Sequence, residues 1–221
     1  MLIIGNGKTI TRDANLPFIE DGAVAIEGTR IKEVGATKDM KEKYKDAEYI
    51  DARSGVIMPA FINTHEHIYS AMARGLSIKG YHPKGFLDIL DGQWWTIDRK
   101  LTPEQIRYSA ADTMISCIRN GVTTILDHHA SFGHIKDSLF TIAEVAKELG
   151  VRPCLCYEVS DRGGLEKARE AVMENAAFIK YALQEDSDML AGMMGMHETF
   201  TISEAAKDMA AAQQPKETGY H

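Results

Sequence analysis

From Val56 onward the chain alternates apolar, strand-like runs with long helical stretches, a pattern that few folds other than a parallel α/β sheet can accommodate. Val56 to His67, Val122 to Asp127, Val151 to Tyr157 and Leu190 to Met196 read as strands. Between them, Thr102 fits a helix N-cap, Pro103 the first helical position and Gln105 the reciprocal partner of a capping box, with Gly121 closing that helix. Ser138 to Leu149 reads as a helix ended by Gly150 and Gly164 to Leu183 as a long amphipathic helix, with helical sequence resuming near Ser203. Strand–helix–strand repeats of this kind form parallel sheets with right-handed crossovers, and α/β barrels carry their chemistry at the carboxyl ends of the strands.

Residues 1–57 follow a different grammar. Short strands at Leu2-Ile3-Ile4 and Glu48-Tyr49-Ile50-Asp51 flank a hairpin over Gly22 to Gly35, whose arms alternate apolar and polar around the turn Glu27-Gly28-Thr29-Arg30. Lys38 to Lys45 reads as a short charged helix or loop. The boundary therefore falls at residue 57, with residues 58–221 carrying the strand–helix repeats.

Bulk properties exclude several classes. Of 221 residues, 44% are hydrophobic and 26% charged, as in a soluble globular protein. A net charge of -7 argues against a nucleic-acid surface, and no apolar run approaches the ~20 residues of a membrane span. The N-terminus lacks the pattern of a signal peptide. Three cysteines, Cys117, Cys154 and Cys156, without framework spacing, suit a reducing compartment and a cytoplasmic location.

The strand ends carry the chemistry. His65 and His67 are spaced i, i+2, so both imidazoles leave one strand on the same side. Imidazole is a common ligand for zinc, iron and other divalent ions. Asp127-His128-His129 end the second strand and His197 follows the fourth. Because adjacent strand residues face opposite sides, one of His128 and His129 faces a shared pocket; His129 is the preferred substrate contact. Glu66 points away from the histidine face. Trp94-Trp95 could wall a flat ring or fill a core. Cys154 and Cys156 share a face and read as small interior fillers.

These residues resemble the amidohydrolase superfamily, on the branch of cytosine deaminase, guanine deaminase and the triazine hydrolases, nearest the SsnA-type aminohydrolases. The likeness rests on Ile19 to Gly35, Met58-Pro59-Ala60-Phe61-Ile62-Asn63-Thr64-His65-Glu66-His67, Met72-Ala73-Arg74-Gly75, Gly121-Val122-Thr123-Thr124 and Gly195-Met196-His197. It departs at Ala60, where the family usually has Gly. The resemblance implies a (β/α)8 TIM-type barrel, with about the first four βα units present here, and a small β-sandwich to which residues 1–57 contribute strands. It makes His65 and His67 ligands of one divalent ion, zinc or iron, and His197 a substrate contact, alongside His129. The family's later ligands and catalytic carboxylates find no match before His221, which stands at the threshold of a fifth strand, so the chain is expected to be the N-terminal half of a longer protein and inactive by itself. The implied reaction of the complete enzyme is hydrolytic deamination of an amino-substituted heterocycle, with a homo-oligomer as the expected assembly. Two alternatives stand beside it: a binuclear cyclic amidase, disfavoured because Leu190 to His197 holds no bridging lysine, and a non-enzymatic fragment.

Overall fold

The computed structural model describes residues 1–185 and 187–221, which form two compact units, Met1–Ala60 and Phe61–His221. In the first, β1 (Leu2–Ile10), β2 (Phe18–Glu27) and β3 (Arg30–Ala36) form an antiparallel meander, followed by helix α1 (Thr37–Lys43), β4 (Glu48–Asp51) and β5 (Val56–Ile57). Glu27 pairs with Arg30, and Gly28 supplies the left-handed φ of +59° that the tight turn needs. Both β4 and β5 run parallel to β1. Ile3, Ala23, Ala25 and Met40 form a small core.

The expected strand from Val56 to His67 is in fact two. Val56 and Ile57 pair with Lys8 and Thr9 in the first sheet. A new strand, β6 (Phe61–Glu66), begins after Pro59, whose missing N–H cannot donate to a ladder.

The second unit is built on a parallel sheet in the order β6, β7 (Val122–His129), β8 (Arg152–Tyr157) and β9 (Ala191–Gly192). Between β6 and β7 lie a 3₁₀ turn (Ile68–Ala73), the short helices α2 (Phe86–Ile89) and α3 (Trp95–Asp98) joined by a π-turn, and the long helix α4 (Pro103–Arg119). The capping box forms: Gln105 N–H donates to Thr102 Oγ1 at 3.3 Å, and Thr102 N–H donates to Gln105 Oε1 at 3.0 Å. Helices α5 (Ser138–Leu149), α6 (Leu165–Gln184) and α7 (Glu204–Gln213) complete the unit. Ile125, Leu155, Tyr157 and Phe178 are fully buried in the core that the helices share with the sheet. That arrangement leaves alternate residues Leu126, His128, Cys154 and Cys156 on the opposite, inner face.

The fourth strand is shorter than the Leu190–Met196 run suggested. Beyond Gly192 the backbone is held by isolated bridges, Val159 with Met196 and Met194 with Tyr220. Gly195 sits so close to strand β8 that an added Cβ would lie 2.4 Å from the Tyr157 carbonyl oxygen. Gly219–His221 runs alongside as a fifth segment: Met194 N–H donates to Gly219 O, and His221 N–H to Met194 O. Among the described residues the sheet does not close into a barrel, but it curls enough to bring His221, beyond its last strand, against His65 on its first.

Helix α5 has an unusual N-terminus. Asp137 precedes it in a left-handed conformation and caps nothing with its side chain; instead Glu174, from α6, accepts the N–H groups of Asp137 (2.9 Å) and Leu139 (3.0 Å). Burial pushes the Glu174 carboxyl up to about 7. Glu174→Gln keeps one acceptor oxygen and leaves one of these N–H groups unpaired, so unfolding free energy falls by ~1–3 kcal/mol in denaturant titrations. An unchanged midpoint would remove Glu174 from the account of how α5 is held.

Candidate metal centre

β6 delivers its histidines as the pleat requires. His65 lies on the strand and His67 just past it, yet their rings meet edge-on with centroids 4.7 Å apart. Their Nε2 atoms are 3.0 Å apart. The other ring nitrogen of His65, Nδ1, is 3.0 Å from Nε2 of His221, and those two rings stack at 5.2 Å. Glu66 turns the other way, accepting from Asn63 Nδ2 and the His67 N–H. The ring of His128 lies 5.8 Å from that of His67 and 5.5 Å from that of His221. These four imidazoles line one cavity of about 630 Å³, together with Tyr69, Trp94, Glu158 and His197.

The parity of β7 decides between its two histidines. His128 faces the cavity. His129, the sequence-based choice, faces the helices: it is fully buried, its Nε2 lies 3.0 Å from Ser131 Oγ, and its ring packs against Tyr157 and Tyr69. Ile125, Asp127 and His129 share that helix-facing side, where the bulkiest apolar neighbours gather.

Asp127 braces His67 from behind. Its Oδ1 accepts the Ile68 N–H at 2.7 Å, fixing the turn immediately after the histidine. Full burial drives its carboxyl pKa well above the usual range, against the lowering effect of the Ile68 N–H bond.

The tautomers follow from one obligate acceptor. His67 Nδ1 lies 2.9 Å from the carbonyl oxygen of His128, so Nδ1 carries the proton and Nε2 presents a lone pair. A His65 Nε2–H then donates to His67, and His65 Nδ1 accepts from His221 Nε2–H. Burial lowers the pKa of His67 and His221, and lowers that of His128 further. These are neutral imidazoles, the form that ligates metals.

Two of these nitrogens are spaced about as two ligands of one divalent cation would be, once His65 carries its proton on Nδ1 in place of Nε2. Two Nε2 atoms 3.0 Å apart approximate the edge of a coordination polyhedron, which for tetrahedral zinc with bonds of ~2.0–2.1 Å spans about 3.3 Å. The His67 Nδ1–H bond to a carbonyl is the kind of outer contact that orients ligating histidines. His128 Nε2 is buried without a hydrogen-bond partner. As the rings stand, His65 offers different nitrogens to its two neighbours, and no three His, Cys, Asp or Glu side chains among the described residues converge on one point.

In the same cavity, His197 Nδ1 is 2.5 Å from Thr201 Oγ1, and Thr201 donates its hydroxyl proton to Glu198 O. His197 Nε2 faces Glu158 Oε2 at 3.7 Å. Behind Glu158 lies a buried ionic cluster: Arg162 bonds both Glu158 and Asp98 and stacks over Phe132 at 3.7 Å and Trp95 at 4.9 Å. Burial pushes Glu158 up to about 7 and Asp98 up to about 6 despite the guanidinium between them.

Sequence reasoning placed His221 at the threshold of a fifth strand without giving it a role, preferred His129 to His128, and did not find the Asp98–Arg162–Glu158 cluster. Gly219-Tyr220-His221 ends on histidine at a strand, as the first strand does, and that was its signal. The cluster had none, because Asp98 at the end of α3 lies 64 positions before Arg162, which shares the β8–α6 connection with Glu158.

Residues 56–217 match the model of the amidohydrolase family, and the chain belongs to that family. It is 30% identical over 181 residues to a 5'-deoxyadenosine deaminase of Methanocaldococcus jannaschii, covering 81% of this chain and 40% of that protein. It is 31% identical over 203 residues to a 5-methylthioadenosine/S-adenosylhomocysteine deaminase of Thermococcus onnurineus, covering 91% of this chain and 44% of the other. The chain thus spans less than half the length of these curated relatives. Among solved structures, E. coli guanine deaminase superposes with a TM-score of 0.77 at 20% identity, covering all of this chain and 53% of that one. The zinc complex of atrazine chlorohydrolase from Arthrobacter aurescens TC1 gives 0.76 at 23%, covering 96% and 51%. The fold is that of about half of each. Among the described residues, no helix is long and apolar enough to cross a membrane.

Proposed function

We propose that a full-length protein containing this chain is a metal-dependent hydrolase of the cytosine deaminase, guanine deaminase and triazine hydrolase branch, which removes an amino group from a purine, pyrimidine or triazine-like ring. The observation that carries this reading is the pair of Nε2 atoms of His65 and His67, 3.0 Å apart on a cavity wall, with His221 stacked beside them. The deaminase names of the relatives support it.

His65 and His67 would hold one zinc or iron ion, with His221 and His128 as the nearest further imidazoles. Such an ion supplies hydroxide at neutral pH by lowering the pKa of bound water from ~15.7 toward ~7. The protein's own residues do the rest. The His128 carbonyl fixes the His67 tautomer, and Asp127 fixes the turn behind it. Trp94 and His197 wall the cavity where a flat ring would lie. Loss of ammonia also needs a carboxylate to move protons at the reacting carbon. Glu158, on the cavity wall, gives Oε1 to Arg162 and turns Oε2 toward His197, and Glu66 is turned away. The 221 residues alone are therefore read as inactive. The absence of lysine from Leu190 to His197 favours one ion over two.

The test is to purify this chain and the longest natural product with zinc or iron, measure metal per chain, and assay ammonia release from adenosine, guanine and cytosine. The longer protein should carry about one metal and release ammonia, and the 221-residue chain should not turn over. A metal-free longer protein, or equal turnover by the short chain, would overturn the respective half of this reading.

A further inference from the structure

Resting on the reading of this cavity as the substrate site, we propose that Glu158 and His197 form a two-acceptor subsite that selects ligands presenting an N–H or O–H between them. The derivation starts at Thr201. Its hydroxyl proton is committed to Glu198 O at 2.9 Å, so its oxygen must accept from His197 Nδ1–H at 2.5 Å. His197 Nε2 is thereby a bare lone pair, and it faces Glu158 Oε2 at 3.7 Å, too long for a direct hydrogen bond. Glu158 Oε1 is already taken by Arg162, through Nε at 3.3 Å and Nη2 at 3.1 Å, which leaves Oε2 for the cavity.

Both acceptors open onto the cavity, so a ligand that fills it must bring a donor to them, because an acceptor left unpaired when the ligand shuts out solvent is costly. Both residues line the cavity, and Glu158 is 3% exposed, so the ionic cluster behind it holds the carboxylate still. A ring N–H, an amino group or a hydroxyl satisfies both oxygen and nitrogen at once. A methylated position satisfies neither and leaves both acceptors desolvated. Such a site rejects the analogue that lacks the donor more strongly than an apolar wall rejects an extra methyl. The subsite would thus orient the ring within the cavity that it shares with the paired imidazoles of His65 and His67.

Adenine, 9-methyladenine and N6,N6-dimethyladenine serve as probes, titrated at about pH 8.5, where Glu158 is ionised, by Trp fluorescence or calorimetry into the zinc-loaded protein. Wild type should bind adenine at least about tenfold tighter than one of the methylated rings, as expected for an unpaired buried acceptor at ~1–3 kcal/mol. Glu158→Gln keeps an oxygen for Arg162 and places an amide NH2 opposite His197 Nε2, satisfying the wall internally. It should weaken adenine by a similar factor and leave the rejected methylated ring unchanged. Thr201→Val, which removes the acceptor for His197 Nδ1–H, should lower the discrimination and shift the His197 ¹⁵N resonances toward the other tautomer; it keeps the inference testable if Glu158→Gln does not fold. Equal binding of all three probes, no binding of any, or undiminished discrimination in the variants overturns the inference. Zinc content of the wild type, measured in the same samples, reports separately on the metal-site reading.

Discussion

On the proposed reading, replacing His67 by asparagine should strip the centre of the divalent ion that it is proposed to hold. Zinc in a four-ligand site is held with an apparent ~10–16 kcal/mol, or about 2.5–4 kcal/mol for each ligand. Loss of one ligand then weakens binding by on the order of 10²–10³-fold, at about 1.4 kcal/mol per decade. His67 is the sharper of the two β6 positions to change, because its tautomer is already set: Nδ1–H donates to the His128 carbonyl and the Nε2 lone pair is presented to the cavity. Asparagine can still donate to that carbonyl, so the wall survives while the lone pair is lost. The measurement is competition with a chromophoric chelator, on the longest natural product and on this chain in parallel. His129→Asn is the contrast: that ring is buried against Tyr157 and Ser131, so its loss should cost stability and leave metal affinity within about threefold. Equal losses of metal in the two variants would show that the parity assigned to β7 and the role assigned to β6 are wrong together.

Arg162→Met should destabilise the second unit by ~3–5 kcal/mol near pH 8, the usual cost of breaking a buried ion pair from one side. Arg162, Asp98 and Glu158 are all 5% exposed or less at the side chain. Two carboxyls share one guanidinium, and burial holds Asp98 up to about 6 and Glu158 up to about 7. The unfolded chain ionises both near ~4, so between that pH and about 7 the folded protein binds more protons than the unfolded one. These two groups therefore lower stability as pH rises through the window, and their favourable contribution is complete below it. Without Arg162 both groups stay protonated to higher pH, so the wild-type to variant difference should grow from pH 5 to pH 8. Urea unfolding at both values reads it directly. A difference that is flat with pH would mean that Arg162 acts through its stacking on Phe132 and Trp95 instead of through charge.

Local rules carried much of the second unit. The capping box at Thr102, the left-handed Gly150 after α5 and the strand at Val122 all formed where short-range chemistry put them. Local rules went astray where a neighbour from elsewhere decided. Val56 and Ile57 are as apolar as the strand they were assigned to, yet they pair with Lys8 and Thr9 of β1, 48 residues back. Leu190 to Met196 has the composition of a full strand, but Gly192 and Gly195 lie against other backbone and side chains, and regular pairing stops after two residues.

What the chain's letters determined alone was the spacing that puts His65 and His67 on one side of a strand end, since side-chain alternation is a property of the extended backbone itself. Family membership was legible for the same reason: five short motifs in fixed order survive without knowledge of contacts. Only the tertiary structure decided that His128 and not His129 lines the cavity, because strand parity is settled by which face the helices bury. The curl of the sheet, a sum of small twists over several strands, decided that His221 meets His65 across 156 positions of sequence.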